Sequence, residues 1–154
     1  MEKNVDDRAR LQQIIAEMGG CRELMGAIRE QIMVMSSAIS EFTATVASIK
    51  ALKEVKTGTE ILVPLGSDSF VPAKLSFSGK VGMGIGADVV AERTVDDAVA
   101  ALEARVAELG KAIEQARAEL EKLDERVCAL RPEAEELVQK MNKEQPEPGT
   151  NSDV

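Results

Sequence analysis

The sequence predicts a mainly α chain with a small β part. A long antiparallel coiled coil within the chain is joined by two β-hairpins whose sheet is completed by other chains. Three observations predict this. Two long stretches place apolar residues at alternating three- and four-residue steps, the seam of a left-handed coiled coil. Between them Thr57–Thr94 is the one stretch that reads as strands. Aromatics make up 2% of the 154 residues and charged residues 30%, with no Trp or Tyr, a composition typical of long helices rather than of a compact globule.

The first helical segment takes residues 1–56. Met1–Asp7 is polar and expected to fray. The seam then runs Leu11, Ile14, Met18, Cys21, Met25, Ile28, Ile32, Met35, Ile39, Phe42, Val46 and Ile49. Gly19, Gly20 and Gly26 each cost about 1 kcal/mol relative to Ala, so the N-terminal part should be the looser one.

Residues 57–94 read as four strands bounded by turn residues. Thr59–Leu65 places Ile61, Val63 and Leu65 on one face. Phe70–Phe77 places Val71, Ala73, Leu75 and Phe77 together. Val81–Gly86 alternates Val81, Met83 and Ile85 with glycines, and Val89–Arg93 closes the block. Short connections make these antiparallel hairpins, too small to bury an apolar face alone. Pro64 and Pro72 each lack a ladder donor, which suits edges or strand ends. The assembly residues expected here are Ile61, Val63, Leu65, Val71, Leu75, Phe77, Val81, Met83, Ile85 and Val89. Gly82-Met83-Gly84-Ile85-Gly86-Ala87 has the spacing of a dinucleotide loop. That chemistry requires a strand-to-helix turn, whereas these glycines sit within a strand pattern followed by another strand.

Residues 95–142 form the second helix. Thr94 is a good N-cap with Asp97 three residues on, and Asp96 and Asp97 complement the helix dipole. The seam is Val95, Val99, Leu102, Val106, Leu109, Ile113, Ala116, Leu120, Leu123, Val127, Leu130, Ala134, Leu137 and Met141. Pro132 predicts a kink or break near Leu130-Arg131. Residues 143–154, with Pro146, Pro148 and Gly149, read as a disordered tail. Matched seams favour pairing within the chain over a parallel homodimer. Ile49 should then lie near Val95 and Val99, and Leu11 near Ala134 and Leu137.

In that arrangement the end of the coil carrying both termini holds Leu11, Ile14, Ile15, Met18, Leu130, Leu137, Val138 and Met141. Glycines on one arm and proline on the other would loosen it, and exposed apolar groups mark interaction sites. The alternative is that these residues simply close the coil.

The formal net charge is −8, against the basic face of a nucleic-acid binder. The absence of His removes the commonest general base and metal ligand. Carboxylates are spread along helix faces rather than gathered in one pocket. No catalytic, metal or cofactor site is therefore expected. Cys21 and Cys128 form no C-x-x-C pair and read as reduced cytosolic thiols. No signal peptide is read in Met1–Arg10, and no apolar run is expected to approach membrane-spanning length.

Gly58-Thr59-Glu60-Ile61-Leu62-Val63-Pro64-Leu65-Gly66 and Val81-Gly82-Met83-Gly84-Ile85-Gly86-Ala87, set between two helices, resemble the alpha-class subunits of archaeal prefoldin. The resemblance covers roughly Leu11 to Met141. It implies two hairpins per chain, and two alpha with four beta-type subunits joined through strands into a double β-barrel. It further implies an ATP-independent, non-enzymatic holdase without cofactors in the cytoplasm. Its arm tips would capture non-native proteins and pass them to a group II chaperonin. A self-assembling filament or scaffold of the same family is the alternative.

Overall fold

The computed structural model describes residues 2–144. The element order is α1 (Glu2–Leu52), β1 (Glu60–Gly66), β2 (Ser69–Lys74), β3 (Lys80–Gly86), β4 (Val89–Thr94) and α2 (Val95–Glu144). The chain divides into two compact units. One, here the terminal unit, joins residues 2–33 to 113–144; the other, the hairpin unit, is Val34–Ala112.

In the terminal unit the two helices pack antiparallel around Ile14, Met18, Val127, Leu130 and Leu137, with Leu11, Cys21 and Ala134 at the margin. The seam residues expected to meet, Leu11 with Ala134 and Leu137, do so. Ile14 is wholly buried. The seam is closed here, not opened, by residues 11–18. Helix α1 also starts at Glu2, within the segment expected to fray. No breaker lies between Glu2 and Leu11, so a helix anchored by the seam propagates outward at little cost.

The helix break expected near Pro132 does not occur: α2 is one helix from Val95 to Glu144 with Pro132 inside it. The reason lies in which face the proline occupies. Pro132 is exposed, as is Cys128 one turn earlier, so the carbonyl left without a donor faces water, which satisfies it. Leu130, Ala134 and Leu137 on the opposite side hold the flanking turns against α1. The expected disordered tail falls, from residue 145 on, outside the described residues; Lys143 and Glu144 belong to α2.

In the hairpin unit Val46 and Ile49 of α1 pack against Val95, Ala98, Val99 and Leu102 of α2, again the pairing that antiparallel seams require. Phe42, Phe77, Val81 and Met83 pack partly against this cluster. Thr94 caps α2: its Oγ1 accepts a hydrogen bond from the Asp97 amide at 3.2 Å. Thr94→Ala removes that acceptor and costs about 1 kcal/mol, measured as a lower urea midpoint with unchanged slope.

The four strands form two separate two-stranded sheets, β1-β2 and β3-β4. They share one register. Glu60 pairs with Lys74 as Lys80 pairs with Thr94; Gly66 meets Ser69 as Gly86 meets Val89; each has a bulge before its turn. Both turns hold two non-glycine residues at positive φ, Ser67-Asp68 and Ala87-Asp88, the requirement of a type I′ hairpin turn. Asp, next to a small residue, tolerates that left-handed backbone. The second hairpin thus repeats the first after a shift of about twenty residues.

Two strand readings change. Leu65 sits in the bulge between Pro64 and Gly66, so it leaves the alternation that Ile61 and Val63 follow. Strand β2 ends at Lys74 rather than Phe77. Leu75 still bonds through its amide to the Thr59 carbonyl at 2.9 Å. Beyond it the chain leaves the sheet, and Phe77 reaches the core cluster.

Helix α1 also contains an 18-residue window of mean hydropathy 1.4, long and apolar enough by composition to cross a membrane. That corrects the expectation that no such run exists. It arises because Gln31–Ser40 carries no charge. Only 6% of that window is buried, with Met33 and Val34 exposed, although the α1 seam residues Met25, Ile28, Val46 and Ile49 are buried. Ser40, Thr43, Thr45 and Ser48 satisfy their hydroxyls on carbonyls one turn back. The helix is a coiled-coil arm.

Candidate interaction site

Among the described residues no group of three or more His, Cys, Asp or Glu could hold a metal. The run Gly82–Ala87 lies in β3 and its turn, followed by β4, so it has no helix N-terminus at which to hold a pyrophosphate. The surfaces with something to offer are apolar.

The first is the pair of hairpins. Every residue of β1 is exposed. Of the expected assembly residues, Ile61, Val63, Leu65, Val71, Ile85 and Val89 are exposed. Leu75 is half-buried. Phe77, Val81 and Met83 instead lean on the core of their own chain, so that face of the second hairpin is already in use. Leu62, Phe70 and Val90, absent from the expected set, stand among the most exposed apolar side chains, at 67%, 57% and 68%. Register places Leu62 and Pro64 on the same face as Pro72 and Phe70, opposite Ile61 and Val63. The first hairpin is apolar on both faces. The signal was present in the sequence: apolar residues at consecutive rather than alternate positions mark a strand covered on both sides.

The second surface lies in the terminal unit. The eight residues expected at the coil end separate by burial. Ile14, Met18, Leu130 and Leu137 are core. Leu11 and Met141 are half-buried. Ile15 and Val138 are exposed. Leu11, Ile15, Met18, Ala134 and Val138 line an open groove of about 460 Å³, with Arg22, Glu135 and Gln139 at its rim. Its walls are apolar and its rim polar, as in sites that take an apolar side chain.

Ion pairs join the helices beside this groove. Arg10 makes a two-pronged contact with Glu133, at 2.8 and 3.1 Å. Arg126 reaches Glu17 at 2.6 Å. The hydrogen bond from Arg10 holds the Glu133 carboxyl below its ordinary value of 4.5. A depressed carboxyl pKa adds stability above the ordinary value, and that stability is lost as pH falls through the folded-state pKa. The midpoint for melting of the terminal unit should therefore drop on acidification below about 4.5. Arg10→Gln should flatten part of that drop, as read by circular dichroism across the acid range. An unchanged acid slope in the variant would show that the pair carries nothing. Being exposed, the pair should also weaken with salt.

The comparisons with known proteins agree with this layout. Residues 21–140 match the family described as "Prefoldin subunit". The chain is 36% identical over 110 residues to a prefoldin subunit alpha of Methanopyrus kandleri, covering 71% of this chain and 70% of that one. It is 36% identical over 120 residues to a prefoldin subunit alpha of Methanosarcina barkeri, covering 77% and 83%. Among solved structures, filamentous PFD from Methanocaldococcus jannaschii superposes with a TM-score of 0.54 at 22% identity, over 81% of this chain and 98% of that one, a likeness of fold. With two hairpins between two coiled-coil helices, and relatives of this identity across most of its length, the chain belongs to the prefoldin family of chaperones, in its alpha class.

Proposed function

We propose that this chain is a subunit of a hetero-hexameric, ATP-independent holdase of two alpha with four beta-type subunits. It acts in the cytoplasm, and its hairpins join the neighbouring subunits in a β-barrel body. The observation that carries the reading is the exposure of Leu62, Leu65, Phe70 and Val90 on two-stranded sheets, which two strands cannot bury unaided. Prefoldin subunits assemble with one another, which is the use such hairpins serve. The function is binding, with no chemistry performed.

Non-native proteins would be held at the terminal unit and released to a group II chaperonin. The groove around Ile15 and Val138 supports this, since it offers apolar surface without opening the seam. Ile14, Met18, Leu130 and Leu137 contribute by building that surface from beneath.

Two measurements test the reading. Native mass spectrometry of the complex recovered on this chain from its own cells should give two copies with four of a smaller subunit. An open-ended ladder of this chain alone would replace the hexamer with a filament. For the groove, Ile15→Ser with Val138→Ser should leave helicity intact and lower the suppression of client aggregation several-fold. Wild-type suppression by that variant would rule out the groove. Leu137→Ser is a poorer probe, because Leu137 is buried and its loss would damage the coil itself.

A further inference from the structure

The groove of the terminal unit runs along a helix. On α1 its lining recurs at four- and three-residue steps, Leu11, Ile15, Met18 and Arg22. On α2 it is formed by Ala134 and Val138, each followed by a polar neighbour, Glu135 and Gln139. From Leu11 to Arg22 it extends about 16 Å, three turns of helix. It is a second stripe beside a seam that Ile14, Leu130 and Leu137 already close.

That shape decides the backbone of what fits. Both walls are helical, and their N–H and C=O groups bond within their own helices. An extended segment laid along them would leave water with its own backbone groups unpaired, at a cost comparable to lost hydrogen bonds. A helix arrives with its backbone already satisfied. It also presents apolar side chains at the three- and four-residue steps of the groove.

The ends of the groove carry opposite charges. Arg10 faces Glu133 and Glu17 faces Arg126, so the helices keep one antiparallel register. That register sets Glu135 level with Arg8. From there to Arg22 is about 21 Å along the axis. A helical side chain leans toward the N-terminus of its own helix. In an antiparallel pair, Arg22 and Glu135 therefore lean toward each other along the groove. Both are exposed. Among the described residues neither forms an ion pair, whereas Arg10, Glu17, Arg126 and Glu133 beside them are all engaged.

We infer that the groove takes an amphipathic helical segment of a client, laid along α1 and α2 as a third helix, with an acidic side chain at its Arg22 end and a basic one at its Glu135 end. This deepens the client-holding reading and rests on it. It names the conformation of the held segment and the two residues that select it. The apolar walls supply the attraction. The rim charges supply the choice, since a segment with like charges at both ends meets one rim residue of its own sign.

The test uses dye-labelled amphipathic peptides of about 15 residues, long enough as helices to reach both rim charges. All carry leucines on one face. One has Glu in its first turn and Lys in its last; the others have Glu at both ends or Lys at both ends. Fluorescence anisotropy with the full chain should rank the mixed peptide first, with roughly threefold weaker binding for each mismatched end, as exposed ion pairs allow. Arg22→Glu should move the preference to the peptide with Lys at both ends. Glu135→Lys should move it to the peptide with Glu at both ends. Both residues are exposed and unpaired, so the helicity of each variant should match wild type. A central proline in the mixed peptide should weaken its binding at least tenfold. Affinities indifferent to the rim substitutions, no measurable binding of the mixed peptide, or a proline peptide bound as tightly as its parent would each overturn the inference. Ile15→Ser with Val138→Ser separates the two readings. If that variant loses suppression of client aggregation while the peptides show no preference, the groove holds clients and the helix inference alone fails. If it keeps wild-type suppression, the groove reading fails and takes this inference with it.

Discussion

Ile14→Asp is expected to unfold the terminal unit while the cluster around Val95 and Leu102 stays protected. Among the described residues Ile14 is the largest side chain with essentially no exposed surface. It packs among Met18, Val127, Leu130 and Leu137. Truncation to Ala removes buried methyl groups and leaves a cavity, which typically costs 2–5 kcal/mol. A coil of two helices can partly collapse into the space, so about 3 kcal/mol is expected for Ile14→Ala. An aspartate adds the penalty of a buried charge, and among the described residues no buried polar or charged side chain is there to receive it. The nearby cations are already engaged, Arg10 by Glu133 and Arg126 by Glu17. Native-state hydrogen exchange separates the outcomes. Amides of residues 11–25 and 120–137 should lose protection, and those of residues 46–49 and 95–102 should keep it. A loss below about 1 kcal/mol for Ile14→Ala would mean that the seam is not closed there, and that the end of the coil is the open surface its glycines suggest.

That contest between glycine and seam shows what the sequence made legible. Spacing alone identified which residues of α1 and α2 meet, because a three-four repeat leaves one continuous stripe. It also placed both hairpins and the Thr94 cap, each of which depends on residues adjacent in the chain. It misjudged the effect of the breakers. Gly19, Gly20 and Gly26 have open space around them and weaken α1 without interrupting it. Pro132 falls on the exposed face, where water replaces the lost hydrogen bond. Whether a breaker breaks depends on the face it occupies and on what the opposite face packs against, and local propensity carries neither. The candidate sites divided for a similar reason. Seam residues at the coil end and strand residues beneath the second hairpin looked available because they are apolar. Burial consumes Ile14, Met18, Leu130 and Leu137, and partly Phe77, Val81 and Met83. It leaves Ile15, Val138, Leu62, Phe70 and Val90 free. The shift by one position at the Leu65 bulge was equally invisible to alternation.

The residues left free carry the larger functional prediction. Leu62→Ser with Phe70→Ser should leave the monomer's fold and melting unchanged and should sharply weaken subunit assembly. Both side chains are more than half exposed in the single chain, so little packing within it is lost. They share one face of the first hairpin with Pro64 and Pro72, the hairpin whose edges those prolines interrupt. Full burial of a Leu or Phe side chain is worth about 1.5–3 kcal/mol. Because each side chain is already partly covered, the pair should contribute about 3 kcal/mol to association. At 1.4 kcal/mol per tenfold, assembly should weaken about a hundredfold. Titrating the variant against companion subunits, with association followed by mass, reads the shift directly. Ile61→Ser with Val63→Ser, on the less exposed face, should weaken assembly less, since each side chain is only 37% exposed and has less surface left to bury. Wild-type assembly by the Leu62/Phe70 variant would mean that this face stays in water within the complex. The first hairpin would then have to join through the very edges that Pro64 and Pro72 interrupt, at the cost of the hydrogen bonds those residues cannot donate.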